Sequence, residues 1–117
     1  MPVHGHRVER LADQIRDDVA EMIAGELKDP RIGMSTVTRV ELSPDLRHAR
    51  VLVSVLGSEE AKAETFAGLC SAARYVRREL GRRLRLRRAP EVVFVLDRGL
   101  EQQLKVEGLL QKLKEES

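Results

Sequence analysis

A chain of 117 residues with 42% apolar and 34% charged side chains suits one globular domain, since domains average about 100–200 residues. Its single cysteine, Cys70, excludes a disulfide framework, and no zinc-site spacing is present, so a reducing compartment is expected. The net charge of +2 hides an uneven distribution: positions 74–88 hold eight arginines against Glu79, a local charge of +7, while the rest of the chain is acidic overall.

Apolar residues at Val8, Leu11, Ile15, Val19, Met22, Ile23 and Leu27 follow steps of three and four, which predicts a first helix with one buried side. Pro30 disfavours helical backbone at Asp29, so Lys28 to Gly33 reads as a turn. The β-branched stretch Ser35 to Leu42 predicts a strand with Thr36, Thr38, Val40 and Leu42 on one face and Val37, Arg39 and Glu41 on the other. Ser43-Pro44-Asp45-Leu46 has turn chemistry. Ala49, Val51, Val53 and Val55, alternating with Arg50, Leu52, Ser54 and Leu56, then complete a hairpin closed by Gly57.

Ser58 is suited to cap a second helix, with Glu59 and Glu60 in its first turn. The apolar pattern Phe66, Leu69, Ala73, Val76, Leu80, Leu84 gives a helix of about 26 residues, against a mean of about 11–12, so a break is expected near Gly68 or within Cys70 to Ala73. Val92 to Leu96 reads as a third strand, its unbroken apolar run implying cover on both faces; a helical crossover lets it join the hairpin in either direction. A last amphipathic helix is predicted from Leu100 to Leu113, fraying towards Glu115-Glu116-Ser117. The fold class is α+β, a three-stranded sheet with helices on one face plus a C-terminal helix.

The arginine strip is the candidate site. On a helical wheel Ala73, Val76, Leu80 and Leu84 gather within about 80° of arc, with Arg74, Arg78, Arg82 and Arg85 opposite. Arg77 and Arg83 flank the apolar arc, and Arg87 and Arg88 follow on the exit loop. Guanidinium is always charged and donates paired hydrogen bonds, which suits phosphate. Arg78 and Arg82 lie at the middle of the outward arc and are the first choices within it. Tyr75, Phe66 and Phe94 are the only aromatics, which disfavours stacking of unpaired bases and favours folded RNA read through backbone and shape. The alternative is a protein-interaction module docking an acidic partner through the same arginines.

Other features read as structural. His4 and His6 lack a third metal ligand; Asp13, Asp17 and Asp18 read as a solvated helix face; Cys70 has no neighbouring histidine to activate it. No GxxxxGK[ST] loop is present. No catalytic residue, cofactor or metal is expected. The longest apolar run, Val92 to Leu96, is far below the roughly 20 residues that cross a bilayer, and the start lacks the apolar stretch of a secretory signal, so a cytoplasmic location is expected.

Three segments in order carry a family resemblance: Lys28-Asp29-Pro30-Arg31; Val40-Glu41-Leu42-Ser43-Pro44-Asp45-Leu46-Arg47-His48-Ala49-Arg50-Val51; and Leu80-Gly81-Arg82-Arg83-Leu84-Arg85-Leu86-Arg87, followed by Pro90-Glu91. With them the chain resembles the ribosome-binding factor A family, from about Arg7 to the last helix. The resemblance implies a KH-like fold of the second topological type, αββααβ, in which a kink replaces the GxxG loop, and this chain contains no GxxG. The Ala-x-Gly common at that kink falls on Ala72-Ala73-Arg74, where the glycine is missing and another cation stands. The domain is expected over 7–98, after a flexible N-terminus at 1–6 and before a C-terminal helix and frayed tail at 99–117. The resemblance further implies a monomeric assembly factor, not a nuclease. Such a factor binds the free 30S subunit and its 16S rRNA late in maturation, supports 5′-end processing, and leaves through a GTPase acting on the same particle.

Overall fold

The computed structural model describes residues 3–99 and 112–113. Helix α1 (Val3–Gly25) leads into a hairpin of β1 (Ser35–Leu42) and β2 (His48–Val55); α2 (Glu59–Arg83) then crosses over to β3 (Glu91–Leu96). The strand order is β1-β2-β3, with β1 antiparallel and β3 parallel to β2. Helix α1 packs chiefly on β1 and α2 chiefly on β3, so both cover the same face of the sheet. Between the layers Ile15, Val19 and Met22 of α1 meet Leu69, Val76 and Leu80 of α2 over Ala49, Val51 and Val53 of β2, all essentially solvent-free. Burying each such aliphatic side chain contributes about 1.5–3 kcal/mol.

Local chemistry fixes the ends of the elements. Helix α1 is helical from Val3, five residues ahead of the first apolar position at Val8, and stops at Gly25, before Pro30. Gly57 takes φ +120°, a conformation open to glycine, and turns the chain into Ser58, whose Oγ accepts the Ala61 amide at 3.1 Å as N-cap of α2. At the far end of α2 the Leu86 amide donates to the Gly81 carbonyl (3.1 Å) and the Arg85 amide to the Arg82 carbonyl (3.4 Å), a Schellman closure. The residue at its left-handed position is Arg85, with φ 52°.

Three expectations change. Strict alternation along β1 fails because the register shifts between Val37 and Arg39: Val37 pairs with Val53 and Arg39 with Leu52, leaving Thr38 as the extra residue of a bulge. The core therefore takes Val37 and Val40, three positions apart, and Thr36 and Thr38 are exposed. Strand β3 is covered on one face only; Val92 and Phe94 are buried against the helices, but Val93 is 48% exposed. Its all-apolar run is thus an edge strand with a bare side. The break in α2 is absent: the helix runs unbroken from Glu59 to Arg83, since the small residues Cys70 to Ala73 are compatible with helical backbone and the segment contains no proline. Gly68 serves close approach there, since a Cβ at that position would lie 2.7 Å from Ile32 Cγ1. The last helix predicted from Leu100 lies outside the described residues, save Lys112 and Leu113, which are helical.

Candidate nucleic-acid interface

The wheel reading of α2 holds in three dimensions. Val76 and Leu80 are fully buried, whereas Arg74, Arg78 and Arg82, at steps of four, point to solvent. The exposed Arg85, Arg87 and Arg88 follow on the loop that returns to β3. That return is tight: a Cβ on Gly81 would lie 3.1 Å from Ala89 Cβ, and Pro90 is fully buried.

The eight arginines are not equivalent. Arg83 is largely buried and bound to both Glu26 and Glu79, the latter at 3.6 Å. Glu26 also accepts the Tyr75 hydroxyl at 2.9 Å, so one carboxylate after α1 clamps two residues of α2 two turns apart. The Arg83 guanidinium, and after it the Tyr75 hydroxyl, hold the Glu26 carboxyl below its ordinary pKa; the same hydrogen bond to Glu26 raises the Tyr75 phenol. Arg82 is exposed but donates twice to Glu79, at 2.7 and 3.2 Å, and that bond keeps the Glu79 carboxyl ionised to lower pH. Arg77 Nε reaches the Ala89 carbonyl at 3.3 Å and steadies the exit loop. Arg78 sits 6.0 Å from the centre of the Tyr75 ring, at the outer reach of a cation–π contact. Arg74, Arg85, Arg87 and Arg88 make no ion pair among the described residues.

A loop braces the helix one turn before Arg74. Arg31 grips the Asp29 carboxylate with Nη2 at 2.6 Å and Nε at 3.0 and 3.1 Å, and its backbone amide adds a bond at 2.9 Å. The other reach of Nη2 is to Ser71 Oγ on α2, at 3.1 Å. The Arg31 side chain and then its amide hold the Asp29 carboxyl down at about 2. Thr65 Oγ1 accepts the Gly33 amide at 3.0 Å and lies 3.3 Å from the Arg31 carbonyl, pinning the loop to α2 a second time. Lys28 to Gly33, read as a turn from its proline, is therefore a strap that ties the segment after α1 to α2 at Ser71 and Thr65.

A model of the family described as "Ribosome-binding factor A" matches residues 7–110. The chain belongs to the ribosome-binding factor A family. It is 54% identical over 109 residues to ribosome-binding factor A of Synechocystis sp., covering 92% of this chain and 82% of that one. The crystal structure of ribosome-binding factor A from Thermus thermophilus superimposes with a TM-score of 0.66 at 34% identity, over 76% of this chain and 94% of its own. A Thermus thermophilus ribosome-binding factor A homology model, fitted into the cryo-EM map of a 30S–RbfA complex, matches with a TM-score of 0.63 at 34% identity, over 77% of this chain and 94% of its own. The α+β fold, a three-stranded sheet with helices on one face, is thus the KH-like fold of ribosome-binding factor A.

Two cations escaped the sequence reading. Arg7 of α1 and Arg47 of the β1–β2 turn lie beside Arg87 and Arg88, around one cleft. Forty residues separate each from the next along the chain, so only the fold brings them together. Among the described residues no group of three or more histidine, cysteine, aspartate or glutamate side chains is placed to hold a metal ion.

Proposed function

We propose that this chain is a maturation factor of the small ribosomal subunit. In this reading it binds the free 30S particle and its 16S rRNA late in maturation through the outward side of α2 and the loop that follows. The carrying observation is that α2 buries Val76 and Leu80 while presenting exposed arginines, several of them unpaired. A guanidinium without a protein carboxylate is ready to pair with phosphate oxygens. The cryo-EM complex is of a family relative with the 30S subunit, which agrees in kind.

The mechanism is a shift of population. A monomer that holds one rRNA conformer more tightly than another raises its share without making or breaking bonds. Support for 5′-end processing follows if the favoured conformer is the one that a separate nuclease cuts, and release then falls to a GTPase on the same particle. The factor acts in the cytoplasm, where subunits mature. Arg83, committed to Glu26 and Glu79, acts as a bracket for α2, and Arg82 shares its charge with Glu79; Arg74 and Arg78 carry most of the contact.

Co-sedimentation with isolated 30S subunits, large subunits and joined ribosomes at low and moderate salt tests the reading. Selective association with 30S is expected, weakened at least tenfold by Arg74→Glu with Arg78→Glu while circular dichroism stays native. Five phosphate contacts give a log–log salt slope of about −3.5 to −4.5. Equal binding to every particle, or a shallow slope with an acidic protein partner, would overturn it.

A further inference from the structure

At the C-terminal end of α2 the surface folds into an open cleft of about 580 Å³ lined by Arg7, Leu46, Arg47, Leu86, Arg87 and Arg88. Three separate segments build it: α1, the β1–β2 turn and the α2–β3 loop. The last two are tied together where the Glu91 amide donates to the Arg47 carbonyl at 2.7 Å. Asp45 also lines the cleft; one oxygen of its carboxylate takes the Ser43 hydroxyl at 2.6 Å and the Arg47 amide at 3.0 Å, and these bonds keep it ionised, so the lining carries four cations against one anion. None of the four arginines has an ion-pair partner among the described residues.

The backbone gives a second and independent observation. Among the described residues two non-glycine positions have positive φ, Leu46 at 63° and Arg85 at 52°. Leu46 lies in one loop of the cleft, and Arg85 starts the other. Left-handed backbone costs a residue bearing a Cβ roughly 1–2 kcal/mol, and a Schellman closure is ordinarily made with glycine. Strain of this kind gathers at working sites, where a side chain is kept despite its conformational cost. Here it occurs in the two loops that bring Arg47, Arg87 and Arg88 to the cleft, beside Arg7 of α1.

We propose that this cleft is a second anchoring site, taking the sugar–phosphate backbone of folded RNA that has run along α2. The arginines grip successive phosphates, and half-buried Leu46 and Leu86 floor the space against the sugar edge. Arg74 lies about 14 Å along the helix axis from Arg83, where the exit loop begins, so Arg74 stands apart from the cleft while Arg87 and Arg88 join the helix surface to it. The site rests on the RNA-binding reading above and extends it to Arg7 and Arg47, which lie on neither α2 nor its exit loop.

The test compares Arg7→Glu with Arg47→Glu against Arg74→Glu with Arg78→Glu, each titrated onto isolated 30S subunits across a salt series. The cleft pair is expected to weaken binding at least tenfold and to make the log–log salt slope shallower by about 1.4–1.8, the loss of two phosphate contacts. Should the reversed pair unfold by circular dichroism, Arg7→Gln with Arg47→Gln is read the same way, with the same slope change expected. Wild-type affinity and slope in the cleft pair, with loss only in the helix pair, would overturn the cleft and leave the RNA reading standing. Unchanged binding in both pairs would overturn the RNA reading itself. Displacement of wild-type protein from 30S by a mononucleotide at concentrations that leave the cleft pair bound would also overturn the inference, by making the cleft a small-ligand pocket.

Discussion

The two halves of α2 put the same backbone to opposite uses. From Ser58 to Ser71 several polar groups are bound within the protein: the Ser58 cap, Thr65 with Gly33, Ser71 with Arg31, and Glu59 with Arg98 at 2.8 Å. From Arg74 to Arg88 the cations outnumber the carboxylates that could meet them, and the helix closes on Arg85 where glycine would fit better. Surface charges that balance one another add at most about 1 kcal/mol per pair, so leaving arginines unpaired sacrifices little stability and leaves a strong field for an anion. Both halves pack on the sheet, Leu69 from the first and Val76 and Leu80 from the second, but the unpaired cations are concentrated in the second.

That contrast breaks most visibly at Leu69. Its truncation, Leu69→Ala, leaves a cavity under the first half and is expected to cost about 2–5 kcal/mol in urea denaturation, with 30S affinity unchanged under conditions where the variant is folded. Arg85→Gly has the opposite sign: relief of the left-handed backbone should raise stability by about 1 kcal/mol in the same experiment, while binding to 30S falls through loss of a cation. A variant that gained both would show that Arg85 has no part in binding.

The smallest effect belongs to the strap. Asp29 is held at about 2, below its unfolded value near 3.9, so the stability it contributes is complete above about pH 4 and is lost as pH falls towards 2. Acid titration of wild type followed by peptic susceptibility should show the loop loosening in that window, and Asp29→Asn should remove the step. A midpoint near 4 for the Asp29 carboxyl by NMR would mean that Arg31 does not grip it in solution.

Much of this was readable from local chemistry. Strand β1 has the bounds its β-branched run suggested, Ser58 caps α2, and the outward arginines fall on the predicted side of the helix. Where reading failed, the deciding partner lay elsewhere in the chain. The bulge at Thr38 is imposed by pairing with β2, which places both Val37 and Val40 over the core; a period-two template has no place for the extra residue. The bare face of β3 follows from what packs on the sheet, which a five-residue apolar run does not encode. Arg83 looked like its neighbours because Glu26 is 57 residues away, and Arg7 and Arg47 carried no signal until the fold set them beside Arg87 and Arg88.

The bulge in β1 has one more effect. This strand is an edge of the sheet, eight residues long, and a regular edge of that length offers a row of unpaired amide and carbonyl groups on which a second chain can zip. Thr38 interrupts the row at its centre, with its hydroxyl turned to Asp97 Oδ2 at 2.6 Å, and Arg39 and Glu41 set opposite charges alongside. The residue that brings both valines into the core thereby breaks the regular edge on which a second strand could pair.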